Sequence, residues 1–305
     1  MTSSPVLLLV FNRPSHARAV FEKVRAARPP RLYIAVDGAR KHRPEDAGLV
    51  AETLAIYKEI DWPCEVKRLI REENMGCKLA VSSAITWFFE QEEQGIILED
   101  DCLPDPSFFP YCDQLLEKYR NEDAVMHING VNFQDGNWRG SGSYYFSKVC
   151  HVWGWASWRR AWKKYDIQMN GIEEFFSQKL YLNVLNYKDS RLYWEPSFLK
   201  TKEGLINTWD YQWVFSIWKN NGLSIMPNFN LISNIGFDES GTHTKSHDPR
   251  VSKKPLSPVN GELVDPVMLV PDYEGDQYSF YKLFSLPRTD LVSKVRRKLG
   301  TLSAH

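Results

Sequence analysis

Several features that would place a protein quickly are missing from this one. Its 305 residues contain no run approaching the ~20 consecutive apolar residues that a membrane-spanning helix needs. Lys and Arg together number 38, as do Asp and Glu, for a formal net charge of +0. A neutral chain exerts no long-range pull on nucleic acid, so none is expected as a partner and any basic function must be local. The five cysteines (Cys64, Cys77, Cys102, Cys112 and Cys150) are scattered with no C-x-x-C pair, which argues against zinc. Their odd number, and a start without a basic-then-apolar leader, point to a reducing, cytoplasmic compartment. No G-x-G-x-x-G is present, so a dinucleotide cofactor is not expected. There is no internal repeat and no long low-complexity stretch.

What the chain does contain is ordinary in bulk, with 43% hydrophobic and 25% charged residues. The alternation of segments is more informative. Pro5 to Phe11 (PVLLLVF) is a continuous apolar run that predicts a buried first strand. A helix through about Arg28 should follow, with Ser15 as its N-cap. Arg31 to Val36 (RLYIAV) predicts a second strand ending at Asp37-Gly38. Together these make a βαβ unit of roughly 30 residues, the usual start of a nucleotide-binding half. Glu45 to Ile60 should be helical, Glu65 to Ile70 a third strand, and Lys78 to Glu90 a helix. Later segments predict a helix from Asp105 to Tyr119, capped by Asp105 and with Pro106 at the first helical position, and strands at 124–130, 144–149 and 223–227. A helix at 172–186 and another from about Trp209 to Lys219 complete the core elements. Residues 132–143 and 231–244 read as exposed loops.

One stretch demands a chemical explanation. Gly95-Ile96-Ile97-Leu98 reads as a buried parallel strand, and it ends in the carboxylates Glu99, Asp100 and Asp101. Like charges so close need a counter-charge before they can leave water. A divalent cation, Mn²⁺ or Mg²⁺, supplies it with the oxygen ligands such ions prefer. The end of a strand in an open α/β sheet is also where ligands bind. The competing reading is a solvated acidic turn before Pro104.

Other residues carry double readings. Arg13 and Asp37, each just past a strand, are either ligand-crevice residues or loop residues in caps and surface ion pairs. Lys78, in the first turn of its helix, either meets a diphosphate with help from the helix dipole or is a solvated lysine. The 11 tryptophans either stack on sugar rings or fill the core, and for most the core is the simpler assignment. His127, between apolar neighbours, reads as a satisfied interior histidine. The basic C-terminal segment Leu291 to Leu299, with Lys294 to Lys298 at its centre, is either a solvated helical tail or a peripheral contact with anionic headgroups at the inner face of a membrane.

The order of these motifs resembles the GT-A fold glycosyltransferases, in particular the inverting group related to N-acetylglucosaminyltransferase I. PVLLLVFNR and AVDG resemble that family's first two strand ends, which implies that Arg13 and Asp37 contact the nucleotide base. IILEDDCLPDPSFFPYC resembles its variant of the D-x-D motif. This implies Asp101 on the metal, with Glu99 and Asp100 on the donor. VWGWASW resembles a segment lying beneath donor and acceptor, which points to Trp153, Gly154 and Trp155. TWDYQW resembles the segment holding the catalytic base, which implies Asp210. A late histidine on the metal is implied as well, with His243 the candidate and His247 behind it. Should Asp210 not be the base, Asp238 and Glu239 come next.

The resemblance implies a GT-A, Rossmann-like, mostly parallel sheet flanked by helices, with an acceptor-side lobe and a C-terminal extension. The expected division is a glycosyltransferase domain over 1–245 (nucleotide half 1–130, acceptor half 131–245) and an extension over 246–305. The implied activity is metal-dependent transfer of a hexose or N-acetylhexosamine from a nucleotide-sugar, expected to be a UDP-sugar, to a glycan or lipid-linked acceptor. Bacterial cell-surface polysaccharide assembly is the setting this suggests. Two alternatives stay open: a sugar-1-phosphate nucleotidyltransferase, and a non-catalytic glycan-binding protein on the same fold. The first normally needs a glycine-rich loop after strand one, where this chain has Phe11-Asn12-Arg13-Pro14.

Overall fold

A computed structural model describes residues 1–185, 187, 189–237 and 251–284. The chain is mixed α/β and Rossmann-like, with an eight-stranded central sheet between layers of helices. The first half alternates as expected: β1 (Val6–Val10), α1 (Pro14–Ala27), β2 (Arg31–Val36), α2 (Glu45–Ile56), β3 (Glu65–Ile70), α3 (Gly76–Gln91) and β4 (Gln94–Glu99). These four strands are all parallel, in the order β3-β2-β1-β4. The chain reverses direction across the sheet between β1 and β4. The crevice at the carboxyl ends of those strands is therefore the switch point where ligands enter such sheets.

The second half completes the sheet with mixed pairing. Past the acidic triplet come β5 (Cys102–Pro104), α4 (Phe108–Lys118), β6 (Val125–Asn129), β7 (Tyr144–Ser147) and β8 (Trp155–Trp158). Short helices α5 (Arg159–Trp162) and α6 (Ile172–Ser177) lead to α7 (Ser190–Lys202), α8 (Asp210–Lys219), β9 (Leu223–Pro227), β10 (Ile232–Asn234) and α9 (Tyr273–Leu283). The sheet continues β4-β8-β6-β9-β7, with β8 antiparallel to both neighbours. A separate two-stranded sheet pairs β10 with β5.

Burial explains the sheet. Every residue of β1 is buried, with Val6, Leu8 and Val10 facing α1 and α4, and Leu7 and Leu9 facing α3. Each fully buried side chain of this kind contributes about 1.5–3 kcal/mol. Strand β8 uses its alternation in the same way. Trp155 packs on one face with Trp162, Trp209 and Trp213, and Trp158 packs on the other, donating Nε1 to the Leu116 carbonyl (3.0 Å).

Several expectations need correction. Ser15 does not cap α1: the helix starts at Pro14, whose fixed φ suits the first helical position. The stretch 172–186 is not one helix, because α6 ends at Ser177 and a 3-10 turn occupies 180–183. Residues 132–134 are buried rather than an exposed loop. Asn132 donates to the Pro227 carbonyl (2.6 Å) and Gln134 to the Gly275 carbonyl (2.9 Å), which compensates their burial. Residues 232–234 form a strand, not loop.

Helix α7 was not anticipated, since Pro196 and four charged residues blur its pattern. Its buried positions Ser190, Trp194, Phe198 and Thr201 nevertheless keep helical spacing.

Residues 251–284 lie along the edge strand β7. Ser143 donates to the Val264 carbonyl (2.7 Å), Tyr144 donates to Asp265 (2.7 Å), and the Lys148 amide donates to Asp276 of α9 (2.8 Å). No helix among the described residues is long and apolar enough to cross a membrane. The basic tail at 294–298, with His243, His247, Asp238 and Glu239, lies outside the described residues.

Candidate active site

The crevice at the carboxyl ends of β1, β2 and β4 opens into a cavity of about 510 Å³. Arg13, Asp37, Glu99, Asp100, Asp101, Trp153 and Asp210, all singled out from the sequence, line it together.

The counter-charge for the acidic triplet comes from within the chain. Arg13 leaves β1 and turns its guanidinium onto both neighbouring carboxylates. One nitrogen bonds Asp100 and another lies 3.0 Å from Asp101. Asp100 is 3% exposed and Arg13 15%, so this is a largely desolvated ion cluster. Burial alone would lower the basicity of Arg13, but the attraction of Asp100 and Asp101 outweighs it. Among the described residues Glu99 has no such ion pair. Burial, then repulsion from Asp101 and Asp100, pushes its carboxyl up to about 8.

The metal expectation must be weighed against this arrangement. Asp100 and Asp101 already hold Arg13, and no group of three His, Cys, Asp or Glu side chains among the described residues gathers as a metal site. As arranged, with Arg13 held by both aspartates, these residues do not fit a bound divalent cation.

The geometry behind the triplet is tight. Strand β10 pairs with β5, and the Ile235 amide then donates to the Asp101 carbonyl (2.9 Å). This brings Gly236 against the cluster, where a Cβ would lie 2.2 Å from Asp101 Oδ2 and 2.8 Å from Arg13 Nη1. A side chain there would have to displace the Asp101 carboxylate or the Arg13 guanidinium.

Asp37 lines the crevice with its carboxylate already bonded. It accepts from the Gly38, Met75 and Gly76 amides (3.0, 2.9 and 3.0 Å) and from Asn74 Nδ2 (2.9 Å). It thereby caps α3 and fixes the loop before it. Asp46, fully buried, accepts from Asn12 and Arg40 (2.7 and 2.5 Å) and braces the β1–α1 turn. Hydrogen bonding from Arg40 draws its carboxyl down to about 2.

Asp210 opens α8, accepting from the Thr208 hydroxyl and from the Tyr211 amide (2.9 Å). It stands on a wall shared with a second cavity of about 310 Å³, walled by Phe133, His151, Trp153, Trp194, Tyr211 and Phe237 among others. Buried Trp209 and Trp213 flank Asp210 in sequence. Cys77 also lines the first cavity, but burial pushes its thiol up to about 12, which keeps it protonated.

Three expected ligand contacts sit elsewhere. Trp155 is 0% exposed and stacks on His127 and Trp209, so it belongs to the core. Gly154, at φ +61, lies under β10, where a Cβ would meet Ile232 at 2.4 Å. Lys78 lies in the first turn of α3 but is not part of the wall of either cavity. His127 is the satisfied interior histidine expected. Its Nε2 donates to the His151 carbonyl (2.9 Å), Nδ1 accepts from Trp213 (3.2 Å), and burial pulls its pKa down to about 4.

Sequence reasoning passed over Arg71, which follows β3 directly and lines the first cavity. Its guanidinium donates to Ser83 Oγ (2.6 Å) and forms no salt bridge among the described residues. The missed signal was positional, since Arg13 and Asp37 stand just past β1 and β2 in the same way.

No protein-family model and no curated protein matches the chain. Solved structures that resemble it include HddC from Yersinia pseudotuberculosis, at 11% identity and a TM-score of 0.31, over 52% of this chain and 77% of that one. UDP-glucose pyrophosphorylase complexed with UDP-glucose aligns at 12% identity and a TM-score of 0.33, over 54% and 79%. A structure of apo UDP-glucose pyrophosphorylase gives 12% identity and a TM-score of 0.36, over 79% of this chain and 94% of that one. These likenesses are too slight to carry an argument about activity.

Proposed function

We propose that the protein is an enzyme that takes a nucleotide-sugar, a UDP-sugar by the resemblance, and transfers the sugar with inversion to an acceptor hydroxyl. The observation that carries this reading is the placement of Asp210 on the wall between two cavities. One cavity holds the charged crevice of the switch point, and the other is aromatic. In the reaction the acceptor oxygen bonds to the anomeric carbon as the bond from that carbon to the diphosphate oxygen breaks. Asp210 takes the hydroxyl proton, and the nucleoside diphosphate leaves. Charge at the anomeric carbon is oxocarbenium-like in the transition state, and the Asp210 carboxylate is suited to stabilise it. Arg71, which lines the first cavity without a carboxylate partner among the described residues, is suited to the diphosphate.

The second reading, a sugar-1-phosphate nucleotidyltransferase, is the one that the name of UDP-glucose pyrophosphorylase matches. Against it stands the short link between β1 and α1. Only residues 11–13 separate them, none a glycine, which leaves little loop to wrap a triphosphate.

One experiment separates the readings. The protein is incubated, with and without EDTA, either with UDP-sugars and simple glycoside acceptors or with UTP and sugar 1-phosphates. Release of UDP that depends on acceptor supports sugar transfer. Release of pyrophosphate from the second mixture overturns it in favour of nucleotidyl transfer. Binding of glycans with neither release leaves a glycan-binding protein.

A further inference from the structure

The outer edge of β7 carries a surface that neither cavity uses. The chain arches over it between two anchors: the Ser143 amide donates to the Val264 carbonyl (2.7 Å), and the Asp272 amide donates to the Phe146 carbonyl (2.8 Å). Between them runs Pro266-Val267-Met268-Leu269-Val270-Pro271. The four apolar residues between the prolines are 84%, 65%, 37% and 56% exposed. An extended segment lying on a sheet would turn alternate side chains inward. Here four in succession face outward, so the segment projects as a loop. The proline at each end has no amide hydrogen to donate, which keeps the loop from joining a ladder. Single apolar residues on a surface are ordinary, whereas a contiguous exposed group marks a contact.

Shape and charge indicate the kind of contact. Between its prolines the loop has no charged or hydrogen-bonding side chain, so nothing there fixes the orientation of a protein partner. A fluid apolar layer needs no such fixing. Most acids at the loop's base are engaged. Asp265 pairs with Lys118 and accepts from Tyr144, Asp272 accepts from the Gly275 amide (2.8 Å), and Glu274 lies 3.7 Å from Arg139. Exposed Glu262 is outnumbered by the sequence beyond α9, outside the described residues. There Arg288, Lys294, Arg296, Arg297 and Lys298 face the single acid Asp290. Helix α9, 11 residues or about 16 Å long, separates the loop from the start of that basic stretch. Exposed Tyr273 follows the loop directly. Exposed Trp138 stands in the connection into β7, whose Gly142 abuts the loop's base: a Cβ there would meet the Pro266 nitrogen at 2.8 Å. Aromatic residues of this kind collect at membrane–water interfaces.

We propose that the 266–271 loop docks the protein on a bilayer containing anionic lipid, its apolar side chains entering the headgroup boundary while the basic stretch at 288–298 meets the headgroups. Two such signals together hold a protein where either alone binds only marginally. The proposal does not depend on the transferase reading, since β7 is the far edge of the sheet, four strand spacings or about 19 Å from β4.

The test mixes the full chain with phosphatidylcholine vesicles, with or without phosphatidylglycerol, and reads the bound fraction by flotation. The wild type should float with the anionic vesicles and bind the neutral ones at least about tenfold more weakly. The double variant Val267→Ser with Met268→Ser should bind the anionic vesicles about tenfold more weakly. Arg296→Glu with Arg297→Glu should lose at least about as much. The amides of 267–270 should exchange hydrogen more slowly on the anionic vesicles than in solution. Because Val267 and Met268 are exposed, the serine variant should keep the wild-type melting temperature. Absence of wild-type binding to the anionic vesicles overturns the proposal, as does undiminished binding by either variant or equal binding of neutral and anionic vesicles. A dimer seen by light scattering that the serine variant converts to monomer also overturns it, and assigns the loop to a second copy of this chain.

Discussion

At the β1–β4 edge, most charged side chains answer to a partner in the protein: Arg13 to Asp100 and Asp101, Arg40 to Asp46, Asp37 to three amides. Across Asp210, in the aromatic half, some buried polar atoms have no hydrogen-bond partner among the described residues: His151 Nε2 and both ends of the amide of Gln212, two residues after Asp210. The contrast follows from the cost of each group. A desolvated charge is costly without a partner, whereas a lone imidazole nitrogen costs less to leave unpaired. The charged cavity is thus wired by internal ion pairs and hydrogen bonds, while the aromatic one is shaped by packing.

Breaking the comparison at its shared wall should have the largest effect. Asp210→Asn keeps the acceptor for the Tyr211 amide but cannot take a proton. Sugar transfer should fall about 10²- to 10⁴-fold in initial-rate assays, with the melting temperature nearly unchanged. Next is Arg13→Ala, which strands the buried Asp100 and the half-buried Asp101. Urea denaturation should show a loss of about 3–5 kcal/mol.

The third prediction concerns α9. Burial holds the Asp276 carboxyl at about 7, well above its ordinary value, although Ser147 and the Lys148 amide donate to it. The folded chain therefore binds this proton more tightly than the unfolded chain. The stability it brings is fully present below the ordinary value of 3.8 and is lost as pH rises through about 7. Asp276→Asn should flatten that decline, read as melting temperature against pH.

Smaller effects sharpen the picture. Arg71→Ala should weaken UDP binding about tenfold by calorimetry, with little change in stability, because its guanidinium has no carboxylate to strand. Lys78→Ala should change UDP affinity by less than about twofold, since its side chain is outside both cavity walls.

The parallel half was largely legible. Apolar runs such as VLLLV and RLYIAV can only be buried on both faces, and the predicted β2 and β3 spans match residue for residue. The site residues at strand ends were legible for the same reason, since an alternating chain delivers each strand's end to one edge. Beyond residue 130 the sequence was harder to read. Buried Asn132 and Gln134 look like loop residues until their partners, Pro227 and Gly275, arrive from far along the chain. Trp155 looked like a ligand contact because nothing local distinguishes a tryptophan facing sugar from one stacked on His127.

The order of strands and helices, and the gathering of acids and arginines at one sheet edge, could be read from the residues, because hydrophobic period and strand-end position are local properties. That Arg13 pairs with both Asp100 and Asp101, that Asp210 lines two cavities, and that His151 Nε2 has no partner among the described residues emerge only once the chain is folded. Those outcomes depend on which distant groups meet in space, and a charge or a hydrogen bond is settled by its neighbour there rather than by its neighbour in the chain.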